Sequence, residues 1–155
     1  MKKTGGPAGR SVPAMLNRIS HTGLWITDQD EALAFYRDIL GFEVRTDVTV
    51  EEFGNMRWLA MGLPGQDVSL VLQNYDMPML DGEPRERIAQ TLATGFNPPM
   101  IFEVDDCRAT IEELRSRGVD ISQEPEDQFY GVDAGIRDPS GNSIRITQPA
   151  PVPAG

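Results

Sequence analysis

The chain has one cysteine, Cys107, and one histidine, His21, in 155 residues. A lone thiol forms no intrachain disulfide and excludes a zinc site built from several cysteines, which fits a cytoplasmic setting. Basic residues are also scarce. Fourteen Lys and Arg against 24 Asp and Glu leave a formal charge of −10 and a pI near 4.5. Binding a phosphate backbone needs a basic footprint, so nucleic acid is excluded as a partner and neutral or cationic small molecules remain. No apolar run reaches the length that spans a bilayer, so no membrane partner is expected, and the opening MKKTGGPAGRSVPA lacks the apolar core of a secretory signal. Residues 1–15 read as a disordered leader and 150–155 as a frayed tail.

What the chain does have is an internal repeat. LWITDQDEALAFYRDILGFEV, Leu24 to Val44, returns in looser form as IFEVDDCRATIEELRSRGVDI, Ile101 to Ile121. Each copy passes from an apolar strand through an acidic turn into an amphipathic helix, then a glycine, then a second strand. Two copies of one supersecondary unit imply a pseudo-symmetric domain, with chemistry to be sought where the copies meet.

Alternation assigns faces. In the first strand Leu24 and Ile26 point one way, and His21, Gly23 and Trp25 the other. Asp28 or Asp30 caps the helix that follows, whose stripe of Ala32, Leu33, Phe35, Tyr36, Ile39 and Leu40 ends at Gly41. Three strands follow, over Phe42 to Thr49, Met56 to Met61 and Val68 to Gln73. A connection over 74–98 holds one short helix from about Glu83 to Thr94. The second half opens at Met100 to Val104, with Ile101 and Glu103 facing away from a helix capped by Asp105 or Asp106 and stopped at Gly118. Strands near Val119 to Ser122, Gly131 to Asp138 and Ser143 to Gln148 complete it, and the last presents Ser143, Arg145 and Thr147 on one face. The acidic run EPEDQ from Glu124 reads as a solvated loop.

Two βαβββ modules, with ITDQDEALAFYRDILGFEV in the first and RDPSGNSIRITQ closing the second, resemble the vicinal oxygen chelate superfamily, which includes glyoxalase I, extradiol dioxygenases, fosfomycin-modifying transferases and bleomycin-resistance proteins. The resemblance covers residues 16–149 as a single domain, module one over about 16–73 and module two over 99–149. It implies an α+β fold of two βαβββ modules related by a pseudo-two-fold axis, forming a concave mixed sheet with helices outside. It also implies a homodimer.

Enzymes of that superfamily hold a divalent metal between the modules. The first-strand ligand, seven positions before the aspartate opening the helix, maps to His21; its counterpart before Asp106 is Pro99. The last-strand glutamate, three residues after the Gly-Asn pair, maps to Arg145, and the matching strand of module one offers Leu70 or Val71. A permanent guanidinium, a proline and an aliphatic side chain bind no metal, so no metal and no cofactor are expected.

The predicted cleft contains His21, Trp25, Ile101, Glu103, Ser143, Arg145 and Thr147, with Trp58 as a second aromatic surface and Tyr130 at its mouth. A few polar groups on apolar walls describe a small-molecule pocket. Each residue also has a plainer reading: His21 as a hydrogen-bonded strand histidine, the tryptophans as packing, Glu103 and Arg145 as an ion pair across the cleft, and Cys107 as structural. Two functions follow. One is metal-independent binding that sequesters an aromatic or drug-like compound, as bleomycin-resistance proteins do. The other is a glyoxalase-like or dioxygenase-like enzyme, with an unorthodox metal or as a metal-free lyase or isomerase using His21 and Glu103.

Overall fold

The computed structural model describes residues 12–77 and 80–152. The leader reading therefore falls outside the described residues for 1–11, and the tail reading does so for 153–155. Residues 12–15 and 150–152 are exposed and carry no regular secondary structure.

The first module runs β1 (His21–Ile26), α1 (Gln29–Ala34), a π-turn (Phe35–Ile39), β2 (Glu43–Val50), β3 (Met56–Gly62) and β4 (Ser69–Asn74). Asp28 is the residue that caps α1, its Oδ1 accepting from the Glu31 N–H at 3.0 Å. The second module runs β5 (Met100–Glu103), α3 (Cys107–Ser116), β6 (Asp120–Gln128), β7 (Gly131–Arg137) and β8 (Ser143–Pro149). Asp106 caps α3 in the same way, accepting from the Ala109 N–H at 3.0 Å. Between the modules lies α2 (Glu83–Thr94), with Pro84 in its first turn and Gly95 closing it in the left-handed region at φ 66°.

Each module forms a four-stranded sheet, and the order repeats: β1-β4-β3-β2, then β5-β8-β7-β6. In both, the first strand runs parallel to the last and the remaining pairs are antiparallel. The expected α+β architecture of two βαβββ units is thus realised as two mixed sheets of identical topology.

The helix-facing sides of both sheets share one core. Ile26, Phe35, Tyr36, Phe42, Leu59, Met61 and Leu72 of the first module pack in one cluster with Ile111, Leu114, Ile136, Ile144 and Ile146 of the second. The Phe42 and Phe102 rings meet edge to face at 5.8 Å. Polar bonds add direction to this apolar seam. The buried Tyr36 hydroxyl donates to Asp138 at 2.8 Å, the Thr27 N–H to Ser140 Oγ at 2.9 Å, and Asn142 Nδ2 to the Trp25 carbonyl at 2.8 Å. Burial pushes the Tyr36 phenol well above its ordinary pKa, and the Asp138 carboxylate adds to the effect.

Two local expectations need correction. The first helix is not one α-helix to Gly41: it widens after Ala34, with the Leu40 N–H reaching back to the Phe35 carbonyl at 3.1 Å and Phe42 to Tyr36 at 2.8 Å. Phe35 and Tyr36, at the start of the wide turn, are both buried in the core. The second correction concerns EPEDQ, which forms the outer half of β6 and is not a loop. This edge strand has irregular register between Ile121 and Glu126. Its charges suit an edge, where they oppose pairing with another chain, and Pro125 is tolerated there. Glu124 also holds Arg115 of α3 at 2.6 Å.

Candidate functional site

The parity of β1 leaves His21, Gly23 and Trp25 on the open face of the first sheet. Because β1 and β4 are in parallel register, His21 lies beside Ser69, Gly23 beside Val71 and Trp25 beside Gln73. Trp58 projects from β3 onto the same side. Together these residues line a cleft of about 470 Å³. Trp25 is 37% exposed, and the His21 and Trp58 rings stand 5.9 Å apart at 56°. His21 Nδ1 shares a hydrogen bond with Ser20 Oγ at 2.9 Å. Gly23 forms the floor: a Cβ there would meet only the Val71 carbonyl at 3.8 Å, an ordinary van der Waals contact.

The donor chemistry of this cleft does not fit a divalent metal. His21 stands beside Ser69, the next open-face positions of β4 are Val71 and Gln73, and one imidazole with neutral side chains cannot outcompete water for such an ion. Among the described residues no group of three or more His, Cys, Asp or Glu is placed to hold one.

The second sheet's open face carries different chemistry. Register places Ile101 beside Arg145 and Glu103 beside Thr147 on one flank of β8, and Gly135 beside Arg145 and Asp133 beside Thr147 on the other. The expected Glu103–Arg145 pair does not form. Arg145 turns toward β7 instead, where Gly135 leaves room, and its Nη2 donates to Asp133 Oδ2 at 2.5 Å and to Gln123 Oε1 at 2.8 Å. Asp133, only 5% exposed, also accepts from Thr147 Oγ1 at 3.0 Å and from the Tyr130 hydroxyl at 2.9 Å. Burial raises the Asp133 carboxyl, but the hydrogen bonds from Arg145, Tyr130 and Thr147 outweigh it and hold the group below the usual carboxylate range. The same bond to Asp133, with burial second, raises the Tyr130 phenol.

The predicted residues thus fall on two surfaces. His21, Trp25 and Trp58 share the first-sheet cleft, whereas Ile101, Glu103, Ser143, Arg145 and Thr147 belong to the second sheet and Tyr130 to the turn between β6 and β7. Neither His21 nor Trp25 contacts Arg145 through a described bond. Ser143 is committed to structure, its hydroxyl donating to the Gly95 carbonyl at 2.6 Å. Cys107 is fully buried with its thiol on the Ile146 carbonyl at 3.3 Å, and burial raises its pKa, the opposite of an activated nucleophile. Asp133, Gly135 and Gln123 were not anticipated. The alternation in GVDAGIR, read as the neighbour of SIRITQ, would have put Asp133 and Gly135 on the face of Arg145.

The family model for the Glyoxalase/Bleomycin resistance protein/Dioxygenase superfamily matches residues 18–146. Among solved structures, UcmS2 is 38% identical with a TM-score of 0.78, over 86% of this chain and 98% of that one. TnmS3, described as an antibiotic binding protein from Streptomyces sp. CB03234, is 26% identical with a TM-score of 0.68, over 88% and 99%. A probable lactoylglutathione lyase of Synechocystis sp. (strain ATCC 27184 / PCC 6803 / Kazusa) is 27% identical, over 83% of this chain and 92% of that protein.

Proposed function

Since the chain belongs to the Glyoxalase/Bleomycin resistance protein/Dioxygenase superfamily, we propose that it is a metal-independent binding protein that sequesters a small planar aromatic or drug-like compound. The observation that carries this reading is the cleft of His21, Trp25 and Trp58 over the bare floor at Gly23, two indoles and an imidazole around a space of ligand size without a metal-competent donor set. The likeness to TnmS3 supports it. The second reading is a lyase or isomerase, supported by the likeness to the cyanobacterial protein. Its metal-free form needs His21 and Glu103 at one substrate, and these stand on different sheets, so the binding reading has more support.

We further propose a cytoplasmic homodimer. A buried lone thiol suits a reducing compartment, and among the described residues no helix is long and apolar enough to cross a membrane. Outside the cleft, Val48 of β2, Ile101 of β5 and Tyr130 in the turn after β6 are exposed, an apolar surface for a second copy.

The test is a titration of tryptophan fluorescence with a panel of planar aromatic antibiotics, comparing wild type with Trp25→Ala. Ring stacking is worth about 0.5–1.5 kcal/mol beyond area burial, so the variant should bind several-fold more weakly. Equal affinity removes Trp25 from the site. Steady multiple turnover of a substrate, abolished by His21→Ala, would establish the enzyme instead.

A further inference from the structure

We propose that residues 12–19 of one copy form an arm that seats in an apolar trough between the two modules of a second copy, with Arg18 of the arm meeting Glu103 at the trough's rim. This deepens the reading of the protein as a homodimer and rests on it. Four observations carry it.

The first is the arm itself. Val12, Met15, Leu16 and Ile19 are 78%, 87%, 85% and 72% exposed, in a segment without regular secondary structure. Scattered exposed apolar residues are ordinary on a protein surface, whereas four large ones within eight residues mark a contact surface. Their spacing of i, i+3, i+4 and i+7 is the one that helical turns gather onto one face. Wound against a surface, the segment therefore presents a single apolar stripe.

The second is the trough. A cavity of about 480 Å³ runs between the modules, with Leu40, Phe42 and Leu63 of the first and Phe102, Leu114 and Ile146 of the second on its walls. It shares no lining residue with the tryptophan cleft.

The third is position. Ser20 ends the arm, its carbonyl accepting from the Ser69 N–H at 2.9 Å, and Thr22 lines a neighbouring cavity that shares Phe42, Leu63, Phe102 and Glu103 with the trough. The arm thus leaves the body beside the trough of its own chain, yet its apolar side chains stay exposed. A two-fold axis through this region brings each arm to the other copy's trough, and residues 12–20 reach about 30 Å when extended. Such an exchange closes on itself, with both arms and both troughs filled.

The fourth is charge. Lys2, Lys3, Arg10 and Arg18 all precede Asp28, the first acidic residue, so a basic start is joined to a body that carries all 24 Asp and Glu. Among the described residues neither Arg18 nor Glu103 has an ion-pair partner. The other charges on the trough, Glu113 and Arg117, already pair with each other at 2.9 Å, which leaves Glu103 for the arm. Opposite charges at the rim fix the register of an apolar contact.

The test begins with sedimentation of the full chain across a range of concentrations, beside a double variant, Met15→Asp with Leu16→Asp. Both residues are exposed, so the folded body is left intact. The wild type should dimerise, and the double variant should do so at least about a hundredfold more weakly, the scale of two apolar side chains left in water. Arg18→Glu should weaken the dimer about tenfold, and adding Glu103→Arg should restore it. Cross-linking then identifies the seat. Cys107 is fully buried, so Ala14→Cys supplies an accessible thiol for a photoreactive label without touching the apolar stripe. Unlabelled and nitrogen-15-labelled copies, mixed and irradiated, should give products that join position 14 of one to trough residues of the other. Products confined to one chain show the arm folded on its own body and overturn the proposal, as do products joined outside the trough. Failure of Glu103→Arg to rescue Arg18→Glu overturns it too. A dimer equally tight in the double variant overturns it while the homodimer reading stands on the exposed sheet residues. A wild type that stays monomeric overturns both.

Discussion

The two modules share strand order, the helix-capping aspartate and the parallel pairing of first and last strands, yet their open faces differ in kind. The first presents two indoles and an imidazole around an empty floor; the second presents a buried carboxylate that holds an arginine. Each has a glycine at its centre. A Cβ on Gly23 would meet only the Val71 carbonyl at 3.8 Å, whereas Gly135 lies under Arg145 Nη1 with Ser122 Oγ also 2.7 Å from where its Cβ would be. The repeated backbone therefore sets which positions face outward, and the residues at those positions decide between an apolar cleft and a polar anchor. One strand topology thus carries two unlike surfaces.

The contrast breaks most clearly at Asp133. Replacing it with Asn removes the charge that pairs with Arg145, and losing one partner of a largely buried pair costs about 3 kcal/mol. His21→Ala on the other face should stay within about 0.5 kcal/mol, because the histidine is exposed. Urea unfolding of both variants checks the difference; equal midpoints would show that the Asp133 cluster has no special structural weight.

The same carboxylate gives a pH signature. Its native pKa lies below the unfolded value, so in acid the unfolded chain binds more protons and stability rises with pH through that range. The contribution is complete above the ordinary carboxylate range and disappears as pH falls through the native value. Asp133→Asn should flatten this part of the acid profile in unfolding experiments. Tyr36 acts at the other end. Its native phenol is raised, so it adds to the loss of stability above about pH 10 as the unfolded tyrosine ionises, and Tyr36→Phe should make that decline shallower.

The two glycines sharpen the comparison on a smaller scale. Gly135→Ala should destabilise, since the Arg145 and Ser122 side chains must move from under the new methyl group. Gly23→Val should leave stability unchanged or raise it by about 0.5 kcal/mol, because a β-branched residue suits a strand and its Cβ makes only an ordinary contact there. It should nonetheless weaken ligand uptake by filling the floor of the cleft. Thermal unfolding beside a binding titration separates the two effects; a Gly23→Val protein that binds as wild type does would exclude this cleft.

Much of this architecture was legible in the sequence. The repeat gave the modules, Pro84 and Gly95 bounded the connecting helix, and the alternation of His21, Gly23 and Trp25 assigned their face. The misses share a cause: the deciding information was in neighbouring strands. Nothing local in Phe35–Ile39 announces a wide turn, since its residues suit an ordinary amphipathic helix equally well. EPEDQ has the composition of a loop and becomes a strand because Gly131 to Arg137 pairs with it. Arg145 was read with the carboxylate nearest in pattern, Glu103, although Gly135 and Asp133 on β7 offered both the room and the partner. Which residues face outward is a property of one strand; which of them meet depends on the register of three.

The central claim is that the tryptophan cleft binds its ligand without a metal, and its most direct test is a fluorescence titration of protein dialysed against chelator, using the tightest-binding compound from the aromatic panel. The account predicts saturable quenching with unchanged affinity after chelation, weakened several-fold in Trp25→Ala. Loss of binding on chelation, restored by one equivalent of a divalent metal, would contradict it.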